Sequence, residues 1–223
     1  MGPYTPTDVT PAELLPQALE TKVPDWAEAA PTPDAVTDWP ARQAAAMVRF
    51  ELDTRGRPLN PAGRTDKIGR HLGKWGENAA ADAIVIAGTG ANRQVLLITR
   101  DDIGVAATPG GMIEITDKTV EDALLRELLE ETGVDLRGHQ PVILDRQVVD
   151  DWRNTDQSWV ASVYGLIQLP ATVPAVGADD ARDAGWWPFA SLDQLEAVLT
   201  AAGRTLYAAH RPLLQAALDH LAQ

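Results

Sequence analysis

The stretch GGMIEITDKTVEDALLRELLEETGV, from Gly110 to Val134, decides the fold. Thr119 is suited to an N-cap and Gly133 to a helix stop, so the pattern predicts a helix over Thr119–Thr132. At 100° per residue the helix separates an apolar arc from an acidic arc. The apolar arc holds Leu124, Leu125, Leu128 and Leu129, and the acidic arc holds Glu127, Glu130 and Glu131. One face is therefore expected to pack and the other to concentrate negative charge.

The acidic arc has two interpretations. Carboxylates at positions i, i+3 and i+4 repel one another, and a divalent cation turns that repulsion into coordination. Mg²⁺ matches such hard oxygen ligands, with Mn²⁺ as the second candidate. A solvated acidic face is the alternative for an isolated triad. Arg126 before the first glutamate and the Gly110-Gly111 turn just upstream favour the cation site.

The segments on either side of this helix predict an α/β (α+β) fold around a mixed sheet. AIVIAG and QVLLITR, from Ala83 onward, predict a hairpin, and VILDRQVVD and SWVASVYGLIQL predict two more strands. SLDQLEAVL and LYAAHRPLLQAALDHL predict C-terminal helices. The first forty residues indicate either a loose arm or a small lobe, and residues 51–79 either an ordered loop over a site or a linker. We expect residues 1–78 to form an N-terminal lobe with a substrate-covering loop, and residues 79–223 the main domain.

The composition of the chain argues against several classes of protein and of functional site. The 223 residues are 45% hydrophobic, enough for a substantial core, and carry 32 acidic against 19 basic side chains for a formal net charge of −13. Such a charge disfavours general nucleic-acid binding. Cysteine is absent, which excludes disulfides, thiolate metal sites and thiol nucleophiles. The first twenty residues lack a targeting pattern and no apolar run is long enough to span a membrane, so we expect a cytoplasmic protein without a membrane partner, as a monomer or a homodimer.

The glycine turn, the spacer and the Arg-Glu-x-x-Glu-Glu-x-Gly run resemble the signature of Nudix hydrolases. This resemblance implies the Nudix fold, a mixed β-sheet between helices, in residues 79–223. It also implies Mg²⁺ or Mn²⁺ held by three glutamates and a glycine carbonyl, with an arginine that orients the glutamates. The implied metal ligands are Gly111, Glu127, Glu130 and Glu131, and the implied catalytic residues are Arg126, Glu127, Glu130 and Glu131.

The spacer departs from the signature. It is one residue longer than the pattern, so its glutamate aligns with Asp117 from the glycine side and with Lys118 from the helix side. Asp117 could replace the missing carboxylate.

Three flanking segments resemble the mitochondrial-type ADP-ribose pyrophosphatases, a subfamily that includes a cytoplasmic domain of the melastatin-type TRP channel. They are RGRPLNPAGRTDKIGRHLGKWGENAAAD (55–82), VDDWRNTDQSW (149–159) and LYAAH (206–210). The resemblance implies Mg²⁺-dependent hydrolysis of the small molecule ADP-ribose to AMP and ribose 5-phosphate. It implies substrate contacts from Asp151, Arg153, Tyr207 and His210. Ala79 departs from the subfamily, which tends to place a histidine there.

Several alternatives stay open at this point. Arg153 with its neighbouring aspartates forms either a substrate contact or only an ion-paired turn, and His210 has either a substrate role or a structural one. Arg64 either reaches the site or ties the N-terminal lobe to the sheet. Another nucleoside diphosphate derivative, such as NADH or a nucleotide sugar, is the rival substrate. A sensor that binds ADP-ribose without hydrolysis is the rival function.

Overall fold

The computed structural model describes residues 4–223. Its strands are β1 (Thr7–Asp8), β2 (Lys67–Ile68), β3 (Gly76–Ala87), β4 (Gln94–Arg100), β5 (Ala106–Ala107), β6 (Gly110–Met112), β7 (Val142–Val148), β8 (Ser158–Leu169) and β9 (Ala181–Pro188). Its α-helices are α1 (Pro16–Thr21), α2 (Trp39–Ala45), α3 (Val120–Thr132), α4 (Leu192–Ala201) and α5 (Arg211–Leu221). Within these described residues, no helix combines the length and the apolar character needed to cross a membrane.

The chain divides into two compact units. The first holds the residues up to Ala79 together with Arg146–Ser162, and the second holds Ala80–Asp145 and Val163–Gln223. The division expected from the sequence, 1–78 and 79–223, followed the chain order. The expected division did not include the segment 146–162 in the first unit. A single boundary along the chain cannot show that a later segment packs against an earlier one.

The first unit is built around aromatic side chains. Trp39, Phe50, Trp75 and Trp159 are each at most 6% exposed, and the ring of Phe50 lies edge-on to those of Trp39 and Trp159. Burial of such large side chains dominates the stabilisation of a small core. Because Trp39 belongs to this core and Leu14 and Leu19 are also buried, much of the N-terminal stretch is packed.

The structure confirms most of the predicted elements. Strands β3 and β4 pair antiparallel, with Ile86 opposite Val95, as expected for the hairpin. The seven-stranded sheet has the order β5-β4-β3-β8-β7, with β6 on β3 and β9 on β4. Strands β7 and β8 and helices α3, α4 and α5 occur where the sequence predicted them. The α+β class is therefore confirmed.

Alternate side chains of the sheet supply the core of the second unit. Ile84 and Ile86 of β3 and Val95 and Leu97 of β4 point to one face and pack with side chains of α4 and α5. On β8, Gly165 alternates with the core residue Tyr164, and a side chain at Gly165 would overlap Leu124 of α3. The missing side chain lets α3 approach β8 closely, so the acidic helix is fixed against the sheet.

Strand β9 was not predicted from the sequence. Its residues ARDAGWWP pair with β4 along its length, with Val95 opposite Trp187 and Leu96 opposite Trp186. Trp187 packs against the core, and the Trp186 indole N–H donates to the Val173 carbonyl at 2.7 Å. The tryptophans therefore serve packing, and the strand was missed because alanine, aspartate and glycine are not typical strand residues.

Candidate active site

Helix α3 carries the acidic residues. The Thr119 hydroxyl accepts the Asp122 amide N–H at 3.1 Å, and Gly133 ends the helix at φ 67°, as predicted. Leu124, Leu125 and Leu128 are buried and Leu129 is half-buried. With the apolar face against the protein, the register of the helix turns the glutamates toward the turn that precedes it.

Two glutamates of α3 contact the glycine turn. Strand β6 pairs with β3 so that Gly110 lies opposite Asp82, and the Gly110 N–H donates to Glu131 Oε2 at 2.8 Å. A Cβ atom at Gly111 would lie 2.5 Å from Glu127 Oε1. The backbone at this turn approaches the carboxylates closely because both residues lack side chains. The predicted ligand residue Gly111 thus lies beside the predicted ligand Glu127.

Arg126 organises the carboxylates. Its guanidinium donates to both carboxylate oxygens of Asp117, at 3.0 and 2.9 Å, and to Glu127 and Glu130 at 2.9 Å each. The Asp117 side chain is only 5% exposed and also accepts the Glu114 amide N–H. The bidentate bond with Arg126 is the main cause that lowers the pKa of Asp117.

The structure therefore resolves the ambiguity of the longer spacer. Asp117 bonds to Arg126, so its carboxylate joins those of Glu127 and Glu130 around the guanidinium, whereas Lys118 is solvent-exposed.

Burial disfavours the ionised forms of Glu127 and Glu131. Desolvation raises the pKa of Glu127 to about 7, against the opposing effect of Arg126, and raises the pKa of Glu131 to about 8, against the opposing Gly110 hydrogen bond. Glu130, by contrast, has an exposed side chain. Because Arg126 and the Gly110 N–H offset only part of the cost of ionising Glu127 and Glu131, a bound cation would stabilise their charged forms further.

The residues fit a divalent cation by their chemistry. The buried carboxylate of Glu131 and the partly buried carboxylate of Glu127 lie beside a turn whose backbone can supply a carbonyl oxygen, which is an all-oxygen donor set suited to Mg²⁺ or Mn²⁺. As the side chains stand in residues 4–223, no three acidic or histidine groups form a ready metal cluster. Arg126 is one reason, because its guanidinium bonds to oxygens of both Glu127 and Glu130.

Two of the predicted substrate contacts also belong to the second unit. The rings of Tyr207 and His210 meet edge-on with centroids 5.0 Å apart, and the Arg100 guanidinium lies over the Tyr207 ring at 5.3 Å. His210 is 4% exposed, and its Nε2 lies 3.7 Å from Asp82 Oδ1. The LYAAH segment is thus linked, through Asp82, to the turn that contacts Glu131.

The comparisons with known proteins agree with this geometry. A NUDIX domain model matches residues 77–209. The chain belongs to the Nudix family. This confirms the resemblance seen in the signature, and the matched range contains the Gly110–Val134 segment.

Named relatives refine the comparison. The chain is 36% identical over 147 residues to nudix hydrolase 6 of Caenorhabditis elegans, covering 58% of this chain and 55% of that protein. It is 33% identical over 143 residues to the mitochondrial ADP-ribose pyrophosphatase of Rattus norvegicus, covering 50% and 40%. It is 35% identical over 136 residues to the transient receptor potential channel subfamily M member-like 2 of Nematostella vectensis, covering 48% and 9%. The chain spans about half the length, or less, of these relatives.

A solved structure supports the fold. The NUDIX domain of Shewanella oneidensis NrtR, complexed with ADP-ribose, superposes with a TM-score of 0.51 at 22% identity and covers 66% of this chain and 89% of that one. At this identity the likeness concerns the Nudix fold alone.

The other two predicted substrate contacts of this Nudix protein lie in the first unit. The Arg153 guanidinium donates to both carboxylate oxygens of Asp151 at 2.8 Å, and the Asp151 side chain is only 4% exposed. Arg153 and Asp151 therefore form an ion-paired turn, which was one of the two interpretations of this segment. Their role as substrate contacts stays a prediction. Arg64 stacks on the Tyr4 ring at 4.4 Å, and the Tyr4 hydroxyl bonds to Asp156, which favours a structural role for Arg64 within this unit.

Asp82 is a residue of the Nudix site that the sequence analysis did not single out. Its carboxylate is 9% exposed and lies beside the glycine turn. The available signal was its position as the only charged residue in the otherwise apolar run AAADAIVIAG, because charged residues are rarely buried without a specific reason.

Proposed function

We propose that this Nudix hydrolase is a metal-dependent ADP-ribose pyrophosphatase that hydrolyses ADP-ribose, with one water, to AMP and ribose 5-phosphate. The hydrolase part rests on the contact of two glutamates, the buried Glu131 and the partly buried Glu127, with the Gly110-Gly111 turn. Mg²⁺ is the proposed cofactor, with Mn²⁺ as the alternative, because the donors are all oxygen atoms.

The choice of ADP-ribose rests on the flanking segments. The segments at 55–82, 149–159 and 206–210 lie outside the signature, and they resemble the ADP-ribose pyrophosphatase subfamily. A relative at 33% identity carries that activity in its name, which supports the same substrate here.

The proposed roles follow from charge and contact. A divalent cation, when bound, neutralises the pyrophosphate and makes water a better nucleophile. Glu127, Glu130 and Glu131 would hold that cation with the Gly111 carbonyl. Arg126, fixed by Asp117, would keep the glutamates in register. One of the glutamates or an aspartate of the segment 149–156 would accept the proton from water, and pH–rate profiles of single carboxamide variants would identify it.

Product analysis tests the proposal directly. The purified chain is incubated with ADP-ribose, NADH or ADP-glucose, each with Mg²⁺ and with EDTA, and the products are separated by HPLC. We expect AMP and ribose 5-phosphate chiefly from ADP-ribose and only with the metal. Faster turnover of NADH or ADP-glucose would reassign the substrate within the Nudix hydrolases.

A sensor that binds ADP-ribose without cleaving it is the second candidate, favoured by the similarity to a channel protein. Hydrolysis is favoured by the complete set of signature residues, Arg126, Glu127, Glu130 and Glu131. A sensor would not need carboxylates such as Glu127 and Glu131, whose ionisation is made unfavourable by desolvation. Tight binding of ADP-ribose with no product over hours, in the presence of Mg²⁺ or Mn²⁺, would favour the sensor.

A further inference from the structure

We propose that Asp82 and His210 form a positioning pair of the cation site, in which Asp82, beside the glycine turn, adds its carboxylate to those of Glu127, Glu130 and Glu131, and His210 holds the Asp82 carboxylate in place. This inference rests on the proposed function, because it concerns the cation that the proposed hydrolase would use. It assigns His210 a role toward the metal site in place of the direct substrate contact expected from the resemblance.

The first observation is that Asp82 and Glu131 meet at one residue. Asp82 lies opposite Gly110 in the β3–β6 pairing, and a Cβ atom at Gly110 would lie 2.6 Å from Asp82 Oδ1. The N–H of the same glycine donates to Glu131 Oε2 at 2.8 Å. The two buried carboxylates therefore flank a single glycine, and the charge of Asp82 acts on Glu131.

The second observation is the tautomer of His210. The Thr108 backbone N–H, which can only donate, points to His210 Nδ1 at 3.1 Å, and the Thr108 hydroxyl lies 2.8 Å from the same atom. Nδ1 is therefore the acceptor, and the ring proton lies on Nε2. Nε2 is 3.7 Å from Asp82 Oδ1, which is longer than a hydrogen bond but close enough for the N–H group to attract the carboxylate electrostatically. Contacts of this kind, from groups behind the ligands, orient metal-binding side chains and tune the affinity of a site.

The third observation concerns the space around His210. Its side chain is 6% exposed, and its two ring nitrogens face Thr108 and Asp82. Tyr207 packs against the ring edge-on. A buried histidine whose Nδ1 is bonded to Thr108 and whose Nε2 lies near Asp82 is better placed to orient Asp82 than to bind a substrate.

Affinity for Mn²⁺ alone tests the pair without any need for turnover. Free Mn²⁺ is measured by electron paramagnetic resonance during titration of the wild type, D82N, H210Q and H210N. The Gln side chain places its amide near the position of Nε2 and keeps a donor for Asp82, whereas the Asn side chain reaches only the position of Nδ1. We expect D82N and H210N to raise the Kd for Mn²⁺ by about tenfold or more, and H210Q to stay within about threefold of the wild type.

Asp193→Asn is the matched control. Asp193 is an exposed residue of the first turn of α4, so D193N removes the same charge from the surface of the same unit. It should leave Mn²⁺ binding unchanged. Thermal melts verify that each variant is folded, and the contrast between H210Q and H210N decides the question even if D82N does not fold.

The outcomes separate this inference from the proposed function. Unchanged Mn²⁺ affinity in both D82N and H210N would overturn the positioning pair, whatever the wild type hydrolyses. If the wild type fails to cleave ADP-ribose while D82N still weakens Mn²⁺ binding, the pair stands and the proposed substrate fails. In an active enzyme, a raised KM for ADP-ribose in H210N and H210Q alike, with unchanged metal affinity, would assign His210 to direct substrate contact.

Discussion

Replacement of Glu131 by glutamine should stabilise the metal-free protein and inactivate the enzyme at the same time. The amide oxygen of the new side chain can still accept the Gly110 N–H, so the contact with the turn is kept. The substitution removes a carboxylate that is only 5% exposed and has an unfavourable environment for its charge. Stability and activity should therefore change in opposite directions.

The size of the stabilisation follows from the pKa. Burial raises the pKa of Glu131 from its ordinary value of 4.5 to about 8. At about 1.36 kcal/mol per pKa unit, this difference limits the cost of ionising Glu131 to about 5 kcal/mol. Because the surroundings relax around a buried charge, we expect a gain of about 1 to 3 kcal/mol in E131Q, or roughly 2 to 10 °C in Tm for a chain of this size.

The pH dependence has a definite sign. A carboxyl whose pKa is raised by folding binds its proton more tightly in the folded state, so the free energy of unfolding falls as the pH rises from about 4.5 to about 8. The Tm difference between E131Q and the wild type should therefore be near zero at pH 4.5 and largest above pH 8. Saturating Mg²⁺ should reduce the difference, because a cation compensates the carboxylate only in the wild type.

Thermal melts in EDTA at pH 4.5, 7 and 9 measure the stability, and AMP release from ADP-ribose measures the activity. We expect turnover of E131Q to fall by at least about 100-fold, the equivalent of about 3 kcal/mol of transition-state stabilisation. Glu121→Gln, in the first turn of the same helix, is the control and should leave turnover near that of the wild type. Wild-type turnover in E131Q would refute the assignment of Glu131 to the cation site, and a Tm difference independent of pH would refute the raised pKa of Glu131.

Four further predictions concern other parts of the structure. D117A should lower turnover by about 10- to 100-fold because Arg126 loses its bidentate partner, whereas K118A should have little effect, as initial rates would show. EDTA should abolish hydrolysis and added Mg²⁺ or Mn²⁺ should restore it, which a metal titration checks. E77A should lower the free energy of unfolding by about 1 to 3 kcal/mol in urea melts, because two backbone N–H groups would lose their partly buried acceptor. T119A should cost about 1 kcal/mol, measured in the same way, because the helix loses its N-cap bond.

The sequence was most informative where local rules determine structure. The bounds of α3 followed from a capping threonine and a terminal glycine, and the β3–β4 hairpin followed from two apolar runs around a turn. The position of the glutamates also followed from helical periodicity alone. These features depend on neighbours in the chain, which a sequence displays directly.

Features that depend on distant contacts were less accessible. The choice between Asp117 and Lys118 depended on which side chain meets Arg126, and a residue count along a loop does not give that answer. Asp82 joined the site through strand pairing with Gly110, 28 positions later in the chain. Strand β9 lacked strand-forming residues and owes its structure to pairing with β4, a tertiary effect that overrides propensity.

The Asp117–Arg126 bond also constrains how such a loop can change. Relative to the signature, the loop is one residue longer, and Asp117 is one methylene shorter than the glutamate of the signature. With both differences present, Asp117 still accepts two hydrogen bonds from Arg126. Either difference alone should displace the carboxylate from the guanidinium. We therefore expect the turnover of D117E to lie well below that of the wild type, despite the chemical similarity of the two acids. We also expect the insertion and the shortening to be coupled in evolution, so that a natural relative with the longer loop also carries the shorter acid.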